Sequence, residues 1–208
     1  MKSWPCCLKF HCCIEKPEGL CSYDYKMLWF EFKARKSTQA AAFLLKLCNG
    51  KKDKYLLLKM IYLADRAALE KWNMSITGDE PYSMKYGPVP SNIYDLTKGG
   101  IRNGCEWDRV IETQKPEILV LRSDPGTDEL SEDEMELLRE TFQKYKDFSF
   151  ENMKAFCHEL PEYDPSVGAG SKPISISTMF KSLGKPEQVS DVADAILEME
   201  RLKIAFGE

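Results

Sequence analysis

Apolar residues recur along much of the chain at the spacing of helices that bury one side. Ser37-Thr38 can cap a helix, and the run Gln39-Ala-Ala-Ala-Phe-Leu-Leu-Lys-Leu-Cys48 predicts one that stops at Asn49-Gly50. Asp53 then opens the longest apolar stretch, Tyr55 to Trp72. Leu56, Leu57, Leu58, Met60, Ile61, Tyr62, Leu63, Ala64, Ala67, Ala68 and Leu69 leave it almost no polar side. A helix apolar nearly all round belongs in the middle of a core, so this is read as the central helix. Residues 73–90 hold Asn73, Gly78, Asp79, Pro81, Gly87, Pro88 and Pro90, which predict a loop. Pro90 suits the first turn of a short helix over Ser91–Lys98, ended by Gly99-Gly100.

Farther along, Trp107, Val110 and Ile111, then Ile118–Leu121, predict two short strands paired as a hairpin. Asp124-Pro125-Gly126 is a turn, and Ser131 with Glu134 forms a capping box for a helix through Tyr145. Ser149 can cap another helix through Glu159. Residues 161–174 are rich in Pro, Gly and Ser and predict a loop; Ser177–Leu183 reads as a short helix. A last helix opens at Ser190 or Asp191 and runs to about Ile204. The expected fold is mainly α: a single compact helical domain around a central buried helix, with a small β-hairpin and a loop-rich C-terminal part.

At 208 residues the chain is long enough to bury a core without staples. Its net charge of −4 gives no global basic field for nucleic acid. The charge is nonetheless uneven. Residues 1–54 carry eleven Lys/Arg against five Asp/Glu. Asp124, Asp128, Glu129, Glu132, Asp133, Glu134, Glu136 and Glu140 crowd residues 124–140, with Arg139 the one cation there. These are either solvated faces or an acidic patch for a basic partner. No apolar run reaches the roughly 18–20 residues that span a bilayer, and Lys9, His11 and Glu15 interrupt any secretory h-region, so a cytoplasmic protein is expected.

Five of eight cysteines fall in the first 21 residues: Cys6, Cys7, Cys12, Cys13 and Cys21. With His11 they could hold zinc, but CC-x4-CC-x7-C is not a pair of CxxC ligand sets. The composition changes abruptly near Met27, and residues 1–26 are read as a disordered or mis-annotated extension preceding the domain at 27–208.

Catalysis needs a nucleophile, a base near neutrality or a metal. There are two histidines, His11 and His158. His158 follows Cys157, but helical neighbours point about 100° apart and form no ready Cys–His pair. His158-Glu159-Leu160-Pro161-Glu162 lacks the second histidine of a zinc-protease helix, and Gly168-Ala-Gly-Ser-Lys172 lacks the spacing of a phosphate loop. Asp79 and Glu80 could act as an acid/base pair, although Thr77-Gly78-Asp79 is also ordinary turn chemistry. No cofactor or metal is expected, and the residues alone define a helical domain with a Gly/Pro-rich loop on a central helix.

Four motifs stand in order within forty residues: Lys59-Met-Ile-Tyr-Leu-Ala-Asp-Arg66, Ile76-Thr-Gly-Asp79, Met84-Lys-Tyr-Gly-Pro-Val89 and Ile93-Tyr-Asp-Leu96. Together they resemble the Panacea domain of SocA-like antitoxins, once filed as phage-associated proteins, over roughly residues 37–160. The resemblance implies an antitoxin that binds and neutralises a toxin protein encoded nearby. A related implication is an adaptor that hands the toxin to a protease complex. No catalytic residues or cofactors come with the family; a membrane or nucleic-acid partner is not expected. The motif residues Tyr62, Leu63, Asp65, Arg66, Thr77, Gly78, Asp79, Lys85, Tyr86, Gly87, Pro88, Val89 and Tyr94 are the candidates either for holding the fold or for meeting the partner. Gly87 admits backbone angles closed to other residues, while Pro88 and Pro90 stiffen the chain just after it. An enzyme using the loop carboxylates is the contrasting expectation.

Overall fold

The computed structural model describes residues 28–99, 106–114 and 117–207. The expectations for residues 1–26 lie outside the described residues. Among those described, α1 (Ala34–Leu47) leads through β1 (Lys51–Asp53) into α2 (Lys54–Trp72). Then come β2 (Pro81–Met84), β3 (Gly87–Pro90), α3 (Ser91–Leu96), α4 (Glu106–Val110), β4 (Ile111–Gln114) and β5 (Ile118–Leu121). The remainder is α5 (Glu132–Tyr145), α6 (Phe150–His158), β6 (Ser171–Pro173), α7 (Ile176–Ser182) and α8 (Val189–Phe206). The fold is mainly α.

Asp53 caps α2, its carboxylate accepting from the Leu56 amide at 3.1 Å. Every residue of α2 from Leu57 to Asp65 is buried. It packs on α1, α5, α6 and β3 at once, and this surrounds it with side chains as its apolar pattern demands. Ala40, Ala41 and Ala42 of α1 are fully buried, small side chains in a core otherwise built from Leu, Ile and Met. The start of α1 differs from expectation. Ser37 and Thr38 are interior, and their hydroxyls donate back to the carbonyls of Lys33 (2.8 Å) and Ala34 (2.9 Å) instead of capping an end. The capping box of α5 and the Ser149 cap of α6 form as the residues predict.

The β content exceeds a hairpin. Antiparallel strands form two three-stranded sheets, ordered β1-β5-β4 and β3-β2-β6. The expected hairpin is present, with Ile111–Gln114 as its first strand paired to Ile118–Leu121. Trp107 and Val110, however, lie on α4 and not on a strand. The stretch expected as a loop contains the hairpin β2–β3, with Tyr82 opposite Val89 and Ser83 opposite Pro88. Prolines at 81, 88 and 90 disguise it, because they remove donors that a strand normally uses. Strand β6 arises from the Gly/Ser-rich segment, Ser83 facing Lys172 across the ladder. Beyond it α7 and α8 form close to where the residues predict helices, although α8 starts without a side-chain cap.

Part of the uneven charge is neutralised inside the chain. Cations on α1 meet the acidic stretch: Lys46 with Asp124 at 2.5 Å, Arg35 with Asp128 at 2.5 Å and Glu129 at 3.0 Å, and Lys36 with Glu134 at 2.7 Å. Buried Gln39 joins them, its amide nitrogen donating to Asp128 at 2.6 Å and its carbonyl accepting from the Glu129 amide at 2.9 Å. Among the described residues no helix is long and apolar enough to cross a membrane.

Segment 28–33 runs against the turn at 75–79. The Lys33 amide donates to the Thr77 carbonyl at 2.9 Å, and the Trp29 indole N–H to the Asp79 carbonyl at 2.8 Å. Gly78 makes that approach possible: its φ is +69°, and a Cβ there would fall 1.8 Å from the Glu31 carbonyl oxygen. Gly78→Ala should therefore cost about 3 kcal/mol or more, strain and collision together. Thermal melting and a red-shifted tryptophan emission would reveal it; unchanged melting would mean that segment 28–33 does not dock there.

Candidate functional site

The motif residues separate into two groups. The first closes on the Asp65 carboxylate, which lies on α2 and is 7% exposed. One of its oxygens accepts from the Ser75 hydroxyl (3.0 Å), the Ile76 amide (2.8 Å) and the Thr77 amide (3.0 Å). The other accepts from the Thr77 hydroxyl. Four buried donors of the turn after α2 are thus satisfied by one side chain. The Thr77 hydroxyl accepts from the Asp79 amide at 3.1 Å, which sets Asp79 in position. The Asp79 carboxylate accepts from the amides of Asn92 (2.9 Å) and Ile93 (2.8 Å) at the start of α3. Pro90 occupies the N-cap position of α3 and has no side-chain donor or acceptor to offer, so Asp79 caps that helix from a distance. Burial pushes the Asp79 carboxyl up to about 6, against the pull of its donors.

Tyr62 and Arg66 stand one turn apart on α2 and share one oxygen of Glu162, at 2.5 Å from the phenol and 2.7 Å from the guanidinium. The Arg66 and Tyr62 bonds hold the Glu162 carboxyl below its usual range despite burial. Its second oxygen has no partner among the described residues. Leu63 is plain core. Sequence reasoning missed Glu162; a carboxylate a hundred positions away gives no local signal of its pairing.

Lys85, Tyr86, Gly87, Val89 and Tyr94 form the second group. They line a cavity of about 670 Å³ together with Lys54, Tyr55, Lys59 and Lys98. Two bonds from α2 hold the hairpin at its mouth: the Tyr55 hydroxyl donates to the Tyr86 carbonyl at 2.9 Å, and the Lys59 ammonium donates to the Pro88 carbonyl. Gly87 is required where the hairpin meets α6. Its φ is +97°, and a Cβ would stand 2.7 Å from the Cys157 Cβ. Lys59 is fully buried behind the wall, and its amine is 5.1 Å from the centre of the Tyr55 ring. Lys59 was not singled out in the sequence, since one lysine on an apolar helix reads as a solvated edge.

Cys157 is buried, and burial lifts its thiol to about 11. The His158 ring stacks on Tyr163 with centroids 4.5 Å apart, and its Nε2 makes no hydrogen bond among the described residues. Lys172 of the glycine-rich segment pairs with Asp164 at 2.6 Å.

The model of the family described as "Antitoxin SocA-like, Panacea domain" matches residues 57–163, just over half of the chain. This chain belongs to that SocA-like antitoxin family. The matched Panacea segment runs from the first wholly buried turn of α2 to the residue after Glu162, so both motif groups fall inside it. No curated protein and no solved structure matches the chain.

Burial in the Panacea segment pulls the Lys59 amine down from 10.5 to about 7. Between those values the unfolded chain holds a proton at this amine and the folded chain does not. Protonation therefore opposes folding below about 10.5, and the opposition fades as pH rises from about 7. The stability of Lys59→Met minus that of the unsubstituted protein should be most positive at pH 7. It should fall by a few kcal/mol towards pH 10, at about 1.4 kcal/mol per pKa unit. Chemical denaturation across that range measures it; a constant difference would show a normally charged amine.

Proposed function

We propose that this chain is the antitoxin of a toxin–antitoxin pair, binding a cognate toxin protein encoded nearby in the cytoplasm and neutralising it by contact, without catalysis of its own. Family membership over residues 57–163 carries the reading. Of the Asp79–Glu80 pair, Asp79 is engaged in capping α3, and the Tyr62–Arg66–Glu162 set locks α2 to the segment after α6. We further take residues 27–208 as one binding unit around α2.

A family that shares its matched segment needs partner-specific contacts elsewhere. We place them on the second half of α8, outside residues 57–163. There Met199, Leu202, Ile204 and Phe206 are 45%, 47%, 82% and 79% exposed, with Met74 beside them at 52%. Exposed apolar side chains gathered at one end of a helix suit a protein partner. The acidic stretch at 124–140 is a poorer choice, because α1 already neutralises several of its charges.

Co-expression with the neighbouring open reading frame tests both statements. The neighbour alone should arrest bacterial growth, and this chain should restore it. Met199→Asp with Phe206→Asp should abolish rescue and weaken toxin binding at least tenfold while helical content and melting stay the same. Steady toxin abundance during rescue fits neutralisation by contact; a fall in toxin that disappears when the host protease is removed would establish delivery to that protease instead. A harmless neighbour, or no rescue, would sink the antitoxin reading.

A further inference from the structure

We propose that the cavity between the start of α2, the β2–β3 hairpin and α3 binds a nucleoside di- or triphosphate, with lysine amines on the phosphates and the Tyr86 and Phe150 rings against the base. The inference goes beyond the antitoxin reading and does not depend on it. Its volume, about 670 Å³, is within the roughly 300–1,000 Å³ of small-molecule sites.

The lining is cationic. Lys54, Lys85 and Lys98 contribute charge to it, against two carboxylates, Asp53 and Glu117. Both carboxylates are already engaged: Asp53 caps α2, and Glu117 pairs with Lys54. Lys98 pairs with Asp95 at 2.9 Å, outside the lining. Lys59 and Lys85 have no carboxylate partner among the described residues. Lys59 lies too deep for contact, and its lowered pKa leaves it a weak cation at best, so it serves the site by holding the hairpin; Lys85 is exposed and free to reach a phosphate. Several amines around one concavity suit a ligand with more than one phosphate group.

The lining is also aromatic. Tyr55, Tyr86 and Phe150 form a cluster with centroids 4.5 to 6.4 Å apart, and Tyr86 and Phe150 remain 41% and 39% exposed. Large rings left open beside cations are the pairing that a base and its phosphates use, the base stacking on a ring face. The Tyr55 and Lys59 bonds to the hairpin carbonyls fix Tyr86 in advance, which lowers the ordering cost of binding. On the far side Ala169, Gly170 and Ser171 present little bulk, so the wall is open to a flat ligand. The glycine-rich segment that fails as a phosphate loop by spacing therefore borders the cavity through its fold position.

The test is isothermal titration of the full chain with ATP, GTP, adenosine and inorganic pyrophosphate. ATP or GTP should bind at least tenfold more tightly than either adenosine or pyrophosphate. Lys85→Ala with Lys98→Ala should weaken that binding at least tenfold, as should Tyr86→Ala, with melting unchanged; Lys203→Ala, on α8, should leave it intact. Three outcomes would overturn the proposal. One is no nucleotide binding at millimolar concentration. Another is pyrophosphate binding as tightly as ATP with Tyr86→Ala silent, which marks a bare anion patch. The third is binding that the lysine and tyrosine variants leave unchanged while an acidic peptide displaces it.

Discussion

A carboxylate deep in a protein must collect hydrogen bonds or lose its charge, and Asp65 collects four. Its donors all come from Ser75 to Thr77, so the chain leaving α2 has one acceptable path back past the helix. That path places Gly78 against segment 28–33 and Asp79 under the first turn of α3. The hairpin β2–β3 starts and ends between those two anchors. The β2–β3 hairpin, the site of α3 and the mouth of the cavity are all positioned by the turn that this buried acid orders.

The same motif serves two physical ends. Asp65, Thr77, Gly78 and Asp79 are buried and bonded to one another, to segment 28–33 or to α3, and Tyr62 and Arg66 are spent on Glu162. A side chain with its polar atoms so engaged has little left to offer a partner. Lys85, Tyr86 and Tyr94 keep exposed surface at a cavity instead. Lys59 belongs to both sets: it supports the hairpin through the Pro88 carbonyl and carries the cost of a buried amine.

Charge on α1 is used chiefly within the chain. Most of the α1 pairs with residues 124–134 are exposed and contribute little to stability, but Lys36–Glu134 is shielded, and buried Gln39 orders the same loop. The acidic stretch is therefore partly consumed as a docking surface for α1. Among the described residues the exposed apolar side chains of α8 have no such internal use, which makes that helix the contrasting surface.

The sequence by itself determined the elements whose cause is local. The Asp53 cap, the uninterrupted apolar run of α2, the capping box at Ser131 and the Ser149 cap depend on residues within a few positions of one another, and each formed. The family, too, was legible, because its motifs are contiguous in the chain. Only the tertiary structure decided what those motif residues do. Proline hid the β2–β3 hairpin, whose strands are paired by their place between Asp79 and the α3 turn it caps more than by propensity. Ser37 and Thr38 resemble caps in any local window, yet packing extends α1 past them. Glu162, Lys59 and the cavity were invisible for one reason: their partners lie 29 to 100 residues away, and the energies that pair buried polar groups depend on distance in space, which sequence spacing does not encode.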